Sequence, residues 1–161
     1  MRVGSGLDVH PFDEGRDAPL VLAGVTIEGS PTLAGHSDAD VVAHAAADAL
    51  LGAAALGDLG ARFGVDEPET AGANSMGLLR AVAQDVVDAG WRVGNLDVTV
   101  VAQAPKLAPH RRAMRQNLAD ELGVDLDDVS VKFTTSDRLG AIGRAEGIAA
   151  WATCLLVPLR G

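Results

Sequence analysis

Residues 36–48 read HSDADVVAHAAAD, the opening of an alanine-rich stretch that continues to residue 55. The spacing predicts a helix over 38–54, with Ser37 or Asp38 placed to cap its first turn. Residues four apart share one face of a helix. Asp40, His44 and Asp48 therefore form a polar stripe, while Val41, Val42, Ala45, Ala49 and Leu50 point elsewhere. A stripe of this kind is either a solvated face or the wall of a site, and the rest of the chain has to decide which.

Outward from this helix, residues 2–10 alternate as a strand, and residues 19–28, PLVLAGVTIE, form a hairpin turning near Ala23-Gly24. A loop rich in glycine and acidic residues leads to a helix from Ser75 to Ala89, closed by Gly90. There follow a strand over 93–102, a helix over 109–122 stopped by Gly123, and strands over 129–135 and 147–157. The alternation late in the chain predicts an α/β fold of the α+β sandwich type. A mixed β-sheet of about four main strands, plus the small hairpin, carries its helices packed on one face, in a single domain over residues 1–161. The last strand, GIAAWATCLLVPL, is apolar on both faces, which predicts burial on both sides, by helices or by another subunit.

Composition sets bounds on function. The chain has 161 residues, 48% of them hydrophobic and 22% charged, an ordinary globular balance. A net charge of −9 argues against nucleic acid or an anionic membrane as partner, since both attract basic surfaces. No run reaches the roughly 18 apolar residues of a membrane span. No targeting peptide is visible, so the expected location is cytoplasmic. The single cysteine, Cys154, sits in an apolar run and is expected to pack in the core.

Asp8-Val9-His10 is the second piece of chemistry. Residues two apart on a strand project to the same side, so Asp8 and His10 point together. With His44 they make two imidazoles and one carboxylate, a set suited to catalytic zinc with a fourth position open for a substrate oxygen. Taken singly, such a pair is more often a capping or surface pair, and a lone His44 more often a satisfied helix histidine. Asp48, one turn beyond His44, is placed to orient its other ring nitrogen, with Asp40 also in the outer shell. His36-Ser37 stands at a helix N-terminus, where free N–H groups favour a phosphate. KFTTSD, 132–137, ends a strand with three adjacent hydroxyls and a carboxylate, and GRAEG, 143–147, sets Arg144 and Glu146 between glycines.

The run GHSDADVVAHAAADALLGAAALGDLG resembles the signature of the 2-C-methyl-D-erythritol 2,4-cyclodiphosphate synthase family. GSGLDVH, NLDVTVVAQAPKLAPH and KFTTSDRLGAIGRAEG point the same way, in the same order along the whole chain. The resemblance implies a phosphorus–oxygen lyase of the non-mevalonate isoprenoid pathway. Such an enzyme cyclises 4-diphosphocytidyl-2-C-methyl-D-erythritol 2-phosphate and releases CMP. It implies zinc on Asp8, His10 and His44, and a second divalent ion, Mg2+ or Mn2+, near Asp137. His36 and Thr135 would stabilise the transition state, with Ser37, Thr134 and Ser136 also on the phosphates. Asp58, Leu59 and Gly60 would meet the methylerythritol hydroxyls, with Phe63, Asp66 and Glu67 nearby. Ala102, Gln103, Ala104, Pro105, Lys106, Leu107 and Ala108 would form the cytidine pocket. Family members are homotrimers with sites between subunits, which suits the last strand. Arg144 and Glu146 could form a plain ion pair; in a trimer they would lie near its axis, beside a cavity able to take a phosphorylated isoprenoid.

Three stretches depart from the family pattern. A usual Phe-Pro-Asp reads Phe63-Gly64-Val65, Asp137 stands where glutamate is common, and an aromatic near the end is replaced by Ala141-Ile142. Two other readings share the metal set. A zinc-dependent hydrolase of nucleotide or phosphate esters would use metal-bound water, but it has no need of the AQAPK loop or the TTSD strand end. A non-catalytic trimeric module would hold a structural zinc, which normally takes four protein ligands where three are found here. His110 is expected in a first helical turn, Arg111, Arg112 and Arg115 on a solvated helix face, and Trp91 and Trp151 in packing roles.

Overall fold

The fold follows from two glycines and a helix of alanines. In the computed structural model, which describes residues 1–35, 37–64 and 74–159, strand β1 spans Arg2–Asp13 and helix α1 spans Val41–Ala54. The even-numbered residues of β1 face α1, and Gly4 and Gly6 stand where the helix crosses. A Cβ on Gly4 would lie 1.9 Å from the Ala49 carbonyl oxygen, and one on Gly6 would lie 2.1 Å from that of Ala45. Backbone therefore meets backbone, with only the side chain of Ala53 beside Gly4 and the Cβ of Asp48 beside Gly6. Along the same strand face the next residues are Asp8 and His10, and along the helix the next turn is His44.

The other elements enclose α1. After β1 come the hairpin strands β2 (Leu20–Leu22) and β3 (Val25–Ile27), then β4 (Thr32–Leu33). The hairpin turn is Ala23-Gly24, with φ of 49° and 69°. Positive φ at both central residues suits the twist of two-residue hairpins. Beyond α1 lie α2 (Leu59–Phe63), α3 (Ser75–Asp88), β5 (Trp91–Val101), α4 (Arg111–Leu122), β6 (Val129–Thr134), α5 (Gly140–Gly143) and β7 (Gly147–Pro158). Single 3-10 turns precede α4 and β6. The main sheet is mixed, in the order β4-β1-β7-β5-β6, with β5 and β6 parallel across the α4 connection and the other pairs antiparallel.

The polar stripe of α1 divides in two. His44, Asp48 and Gly52, each four residues from the next, are its residues that escape burial, so this edge is the wall of a site. Asp40 is not part of that wall. It is fully buried and is the helix N-cap, in place of the expected Ser37 or Asp38. Its Oδ1 accepts from the N–H groups of Val42 and Ala43 at 3.1 Å and of Ala23 at 2.8 Å, and its Oδ2 accepts from Gly24 at 2.7 Å. One carboxylate thus clamps the hairpin turn to the start of α1.

Within one chain the helices cover only one face of the last strand, β7, which leaves the other for the second of the two expected covers, another subunit. Ile148, Ala150, Ala152, Cys154 and Leu156 are buried, whereas Trp151 is 57% exposed on the opposite face. Trp151 is therefore not a packing residue of this chain; its Nε1–H donates to Ser5 Oγ at 2.6 Å. Trp91 is half-buried, with the Arg2 guanidinium over its ring. Arg115 also departs from the solvated face: its guanidinium donates to the carbonyls of Val129 and Leu126, each at 2.7 Å, and ties α4 to the start of β6. Cys154 is a core residue as expected, and burial pushes its thiol up to about 11.

Gly6→Ala forces the α1–β1 contact apart and is expected to lower stability by about 3 kcal/mol or more. Gly52→Ala, where a Cβ meets nothing within 4 Å, is expected to raise it by about 0.5–1 kcal/mol. Urea unfolding midpoints of the two variants test the pair.

Candidate functional site

Asp8 and His10 reach the open edge of α1 from β1, and His44 reaches it from the helix. The Oδ2 atom of Asp8 lies 3.0 Å from His10 Nε2 and 2.9 Å from His44 Nδ1. One donor atom from each residue lies within 4.8 Å of the others, and all three residues are partly buried. Among the described residues this is the one such cluster of three metal-ligating groups.

The chemistry of His10 tests whether a cation fits. Its Nδ1 is 2.5 Å from the Ala34 carbonyl oxygen, which can only accept, so Nδ1 carries the proton. In the neutral ring Nε2 then has a lone pair aimed at a carboxylate oxygen. Two acceptors this close need a proton or a metal ion between them. Zinc–nitrogen and zinc–oxygen bonds of about 2.0–2.1 Å put neighbouring tetrahedral ligands about 3.3 Å apart, close to the spacing found. The trio can hold one metal ion. Burial raises the Asp8 carboxyl, but the hydrogen bonds and charges of His10 and His44 outweigh it and hold Asp8 well below the usual carboxylate range. The Asp8 carboxylate in turn raises His10, against the effect of burial.

The expected partner of His44 is corrected. Its second ring nitrogen, Nε2, meets Ser75 Oγ at 2.9 Å and Ser37 Oγ at 3.3 Å instead of Asp48. Asp48 accepts from the Leu59 N–H at 2.8 Å, and Asp58 caps the same short helix by accepting from the Ala61 N–H at 2.8 Å. Asp48 therefore brings the segment Asp58–Phe63, with Leu59 and Gly60, up to the metal trio. Burial pushes Asp48 up, and the nearby charge of Asp58 adds to this, against the Leu59 N–H. Sequence reading missed Ser75 and the part played by Asp38. Their only signal was a serine opening a helix and an aspartate before another.

A second concavity, of about 390 Å³, lies between the loop after β5 and the end of β6. Ala102, Gln103, Pro105, Lys106, Leu107 and Ala108 line it on one side, and Phe133, Thr134 and Thr135 on the other. Ala104 joins Pro105 through a cis peptide. Arg138 N–H donates to Gln103 Oε1 at 3.2 Å, linking the two loops. Asp137 and Arg138 both adopt positive φ, 52° and 64°. Asp137 is exposed and lies outside the metal trio, and its N–H donates to Thr135 Oγ1 at 3.2 Å. Ser136 Oγ donates to the Leu139 carbonyl at 2.8 Å. Arg144 forms an exposed ion pair with Glu146 at 2.5 Å. His36, Asp66 and Glu67 lie outside the described residues.

The trio and the concavity are not adjacent within one chain. Asp8 pairs with Ala150, Ala150 with Val100, and Val100 with Phe133. Three strand spacings of about 4.8 Å separate them by about 14 Å.

This mixed-sheet sandwich, with a carboxylate–imidazole cluster able to hold a metal at one end of its central helix, belongs to a known family. A profile of the YgbB family matches residues 1–157, and the chain belongs to that family. The 2-C-methyl-D-erythritol 2,4-cyclodiphosphate synthase of Marinobacter nauticus is 56% identical over 156 residues, covering 97% of each chain. That of Yersinia pestis is 52% identical over 157 residues, covering 98% of this chain and 97% of the relative. The bifunctional IspDF of Campylobacter jejuni superposes with a TM-score of 0.93 at 43% identity, over 98% of this chain and 42% of that longer one. The CDP complex of Plasmodium falciparum IspF superposes with a TM-score of 0.86 at 32% identity, covering 99% and 97% of the two chains.

Because His10 is raised above its ordinary value of 6.5, protons compete for it at higher pH than for a free histidine. With zinc as the probe ion, affinity is expected to fall as pH drops through neutrality, by about tenfold per unit below the raised value. Competitive zinc titrations at about pH 8 and about pH 6 measure this. Equal affinities would remove His10 from the ligand set.

Proposed function

We infer that this chain is a 2-C-methyl-D-erythritol 2,4-cyclodiphosphate synthase. It converts 4-diphosphocytidyl-2-C-methyl-D-erythritol 2-phosphate to the cyclic diphosphate and CMP. The observation that carries the reading is the Asp8–His10–His44 trio, met by Asp58–Phe63 through Asp48, in a chain 56% identical to a curated synthase over nearly its whole length. In the reaction the substrate's own 2-phosphate oxygen attacks the β-phosphorus. The bond from that phosphorus to the oxygen shared with the α-phosphate breaks, and CMP leaves with the electron pair. No protein nucleophile is needed; positioning and charge neutralisation do most of the work in phosphoryl transfer.

Roles for the side chains follow from this reading. Asp8, His10 and His44 would hold zinc, and Asp137 would serve a second divalent ion, Mg2+ or Mn2+; when bound, the two ions would supply the positive charge that the phosphates need. His36 and Ser37, with Thr134, Thr135 and Ser136, grip the phosphates. Asp58, Leu59, Gly60 and Phe63, with Asp66 and Glu67, meet the sugar hydroxyls. Ala102–Ala108, Lys106 among them, take the cytidine. This pocket assignment is supported by the concavity those residues line and by the CDP bound to the Plasmodium falciparum relative.

The active assembly is proposed to be a homotrimer with sites between subunits. Two observations support it. The sheet face away from the helices exposes Val3 (69%), Leu7 (60%) and Val9 (54%) beside Trp151, an apolar group of the kind that marks an interaction surface. The metal trio and the concavity stand about 14 Å apart in one chain, so a neighbour's concavity can meet this chain's trio. Among the described residues no helix is long and apolar enough to cross a membrane. The reaction is proposed to run in the cytoplasm.

Phosphorus NMR of the protein with substrate and magnesium is expected to show CMP and a cyclic diphosphate. His44→Ala should slow turnover by more than about 100-fold, beyond the usual effect of losing an outer-shell partner. CMP with an open-chain phosphate would mean a hydrolase instead. Light scattering is expected to give three times the chain mass, and Trp151→Glu should yield monomers and lose turnover in parallel. Full turnover by a monomer would remove the shared-site reading.

A further inference from the structure

On the side away from Asp8, the ring of His44 meets a short hydrogen-bonded chain. Nε2 lies 2.9 Å from Ser75 Oγ and 3.3 Å from Ser37 Oγ, and the two hydroxyls are 3.2 Å apart. Ser75 is 1% exposed. It donates its O–H to Oδ1 of Asp38 and its N–H to Oδ2 at 3.1 Å. A serine has one hydroxyl proton. With that proton committed to Asp38, the Ser75 oxygen can only accept from the ring, so His44 Nε2 carries hydrogen. The lone pair of the neutral ring then sits on Nδ1, 2.9 Å from Asp8 Oδ2.

His10 does the reverse. Its Nδ1–H is spent on the Ala34 carbonyl, and its Nε2 faces Asp8. The two histidines therefore present opposite tautomers to one carboxylate oxygen, each fixed by an acceptor behind it. For His10 that acceptor is backbone. For His44 it is a side-chain relay that joins the start of α3 to the segment before α1.

We propose that Ser75 and Asp38 are positioning residues for His44, acting in series to hold the Nε2–H tautomer so that Nδ1 is offered to the metal ion beside Asp8 and His10. The inference rests on the metal reading of the trio. Outer-shell partners of this kind orient ligand histidines, and losing one costs about 10- to 100-fold in metal affinity.

Long-range proton–nitrogen NMR of the zinc-loaded protein reads the tautomers directly. The expected result is a protonated Nε2 on His44 and a protonated Nδ1 on His10. A protonated Nδ1 on His44, as would follow if Ser37 donated to Nε2, overturns the proposal. Ser75→Ala keeps the backbone N–H that Asp38 holds and removes only the relay hydroxyl. It is expected to weaken zinc binding about 10- to 100-fold with an unchanged circular dichroism spectrum, and, in the metal-free variant, to leave His44 as a mixture of tautomers where the metal-free parent keeps one. Zinc affinity within twofold of the parent, with one His44 tautomer retained, overturns the proposal while the metal site stands. Failure of the parent chain to bind zinc overturns both.

Discussion

The close approach of α1 to β1 is the constraint on which the rest depends. Helices usually pack about 8–10 Å from a neighbour because side chains stand between them. Here the strand offers Gly4 and Gly6, the helix offers Ala45, Ala49 and Ala53, and backbone touches backbone. The same register that sets Gly6 under Ala45 carries Asp8 and His10 to the level of His44. A bulkier pair in this contact would lift the helix, and His44 would no longer lie 2.9 Å from Asp8. Packing and ligand geometry are thus one requirement, met by the smallest residues available.

Burial on nearly all sides forces the polar groups of α1 to be spent with care. Asp40 is wholly buried, and a buried carboxylate is tolerated only when its oxygens are satisfied; four backbone N–H groups do this. The donors belong to the helix start and to the hairpin turn, so the charge also fixes how the hairpin lies on the helix. Asp48, one turn beyond His44, holds the N–H of Leu59. Two carboxylates eight residues apart therefore do different work, one holding the fold together and the other carrying a loop to the site.

Much of this was legible in the sequence, and the misses have physical causes. Strand alternation and helix periodicity located β1, α1, α3, β5, α4, β6 and β7, and the Ala23-Gly24 turn was placed correctly, since these depend on local pattern. The directions of Asp8, His10 and His44 came from spacing, because each follows from the period of its own element, and the family resemblance joined them as one metal set. The cap at Asp40 was missed because Ser37, Asp38 and Asp40 are all competent caps, and only the hairpin's N–H groups, 16 and 17 residues away in sequence, decide between them. Ser75 behind His44 was missed for the same reason: the contact spans 31 residues. Trp151 stands bare in the single chain, because an apolar strand says that both its faces are to be covered and not by what.

A net charge of −9 is at first sight a poor start for gripping phosphates. It stops being an objection when cations stand between, because carboxylates bind the metals and the metals bind the phosphates. Several of the basic groups are spent locally: Lys132 on Asp97, Arg144 on Glu146 and Arg62 on Asp85. An acidic chain of this kind can gather a phosphorylated substrate only where its metal-binding groups converge. A single subunit supplies one metal trio, with the apolar-lined concavity about 14 Å away across the sheet. In the proposed trimer, covering the bare sheet face would unite the two, so the contact that hides Trp151 from water would also complete the site.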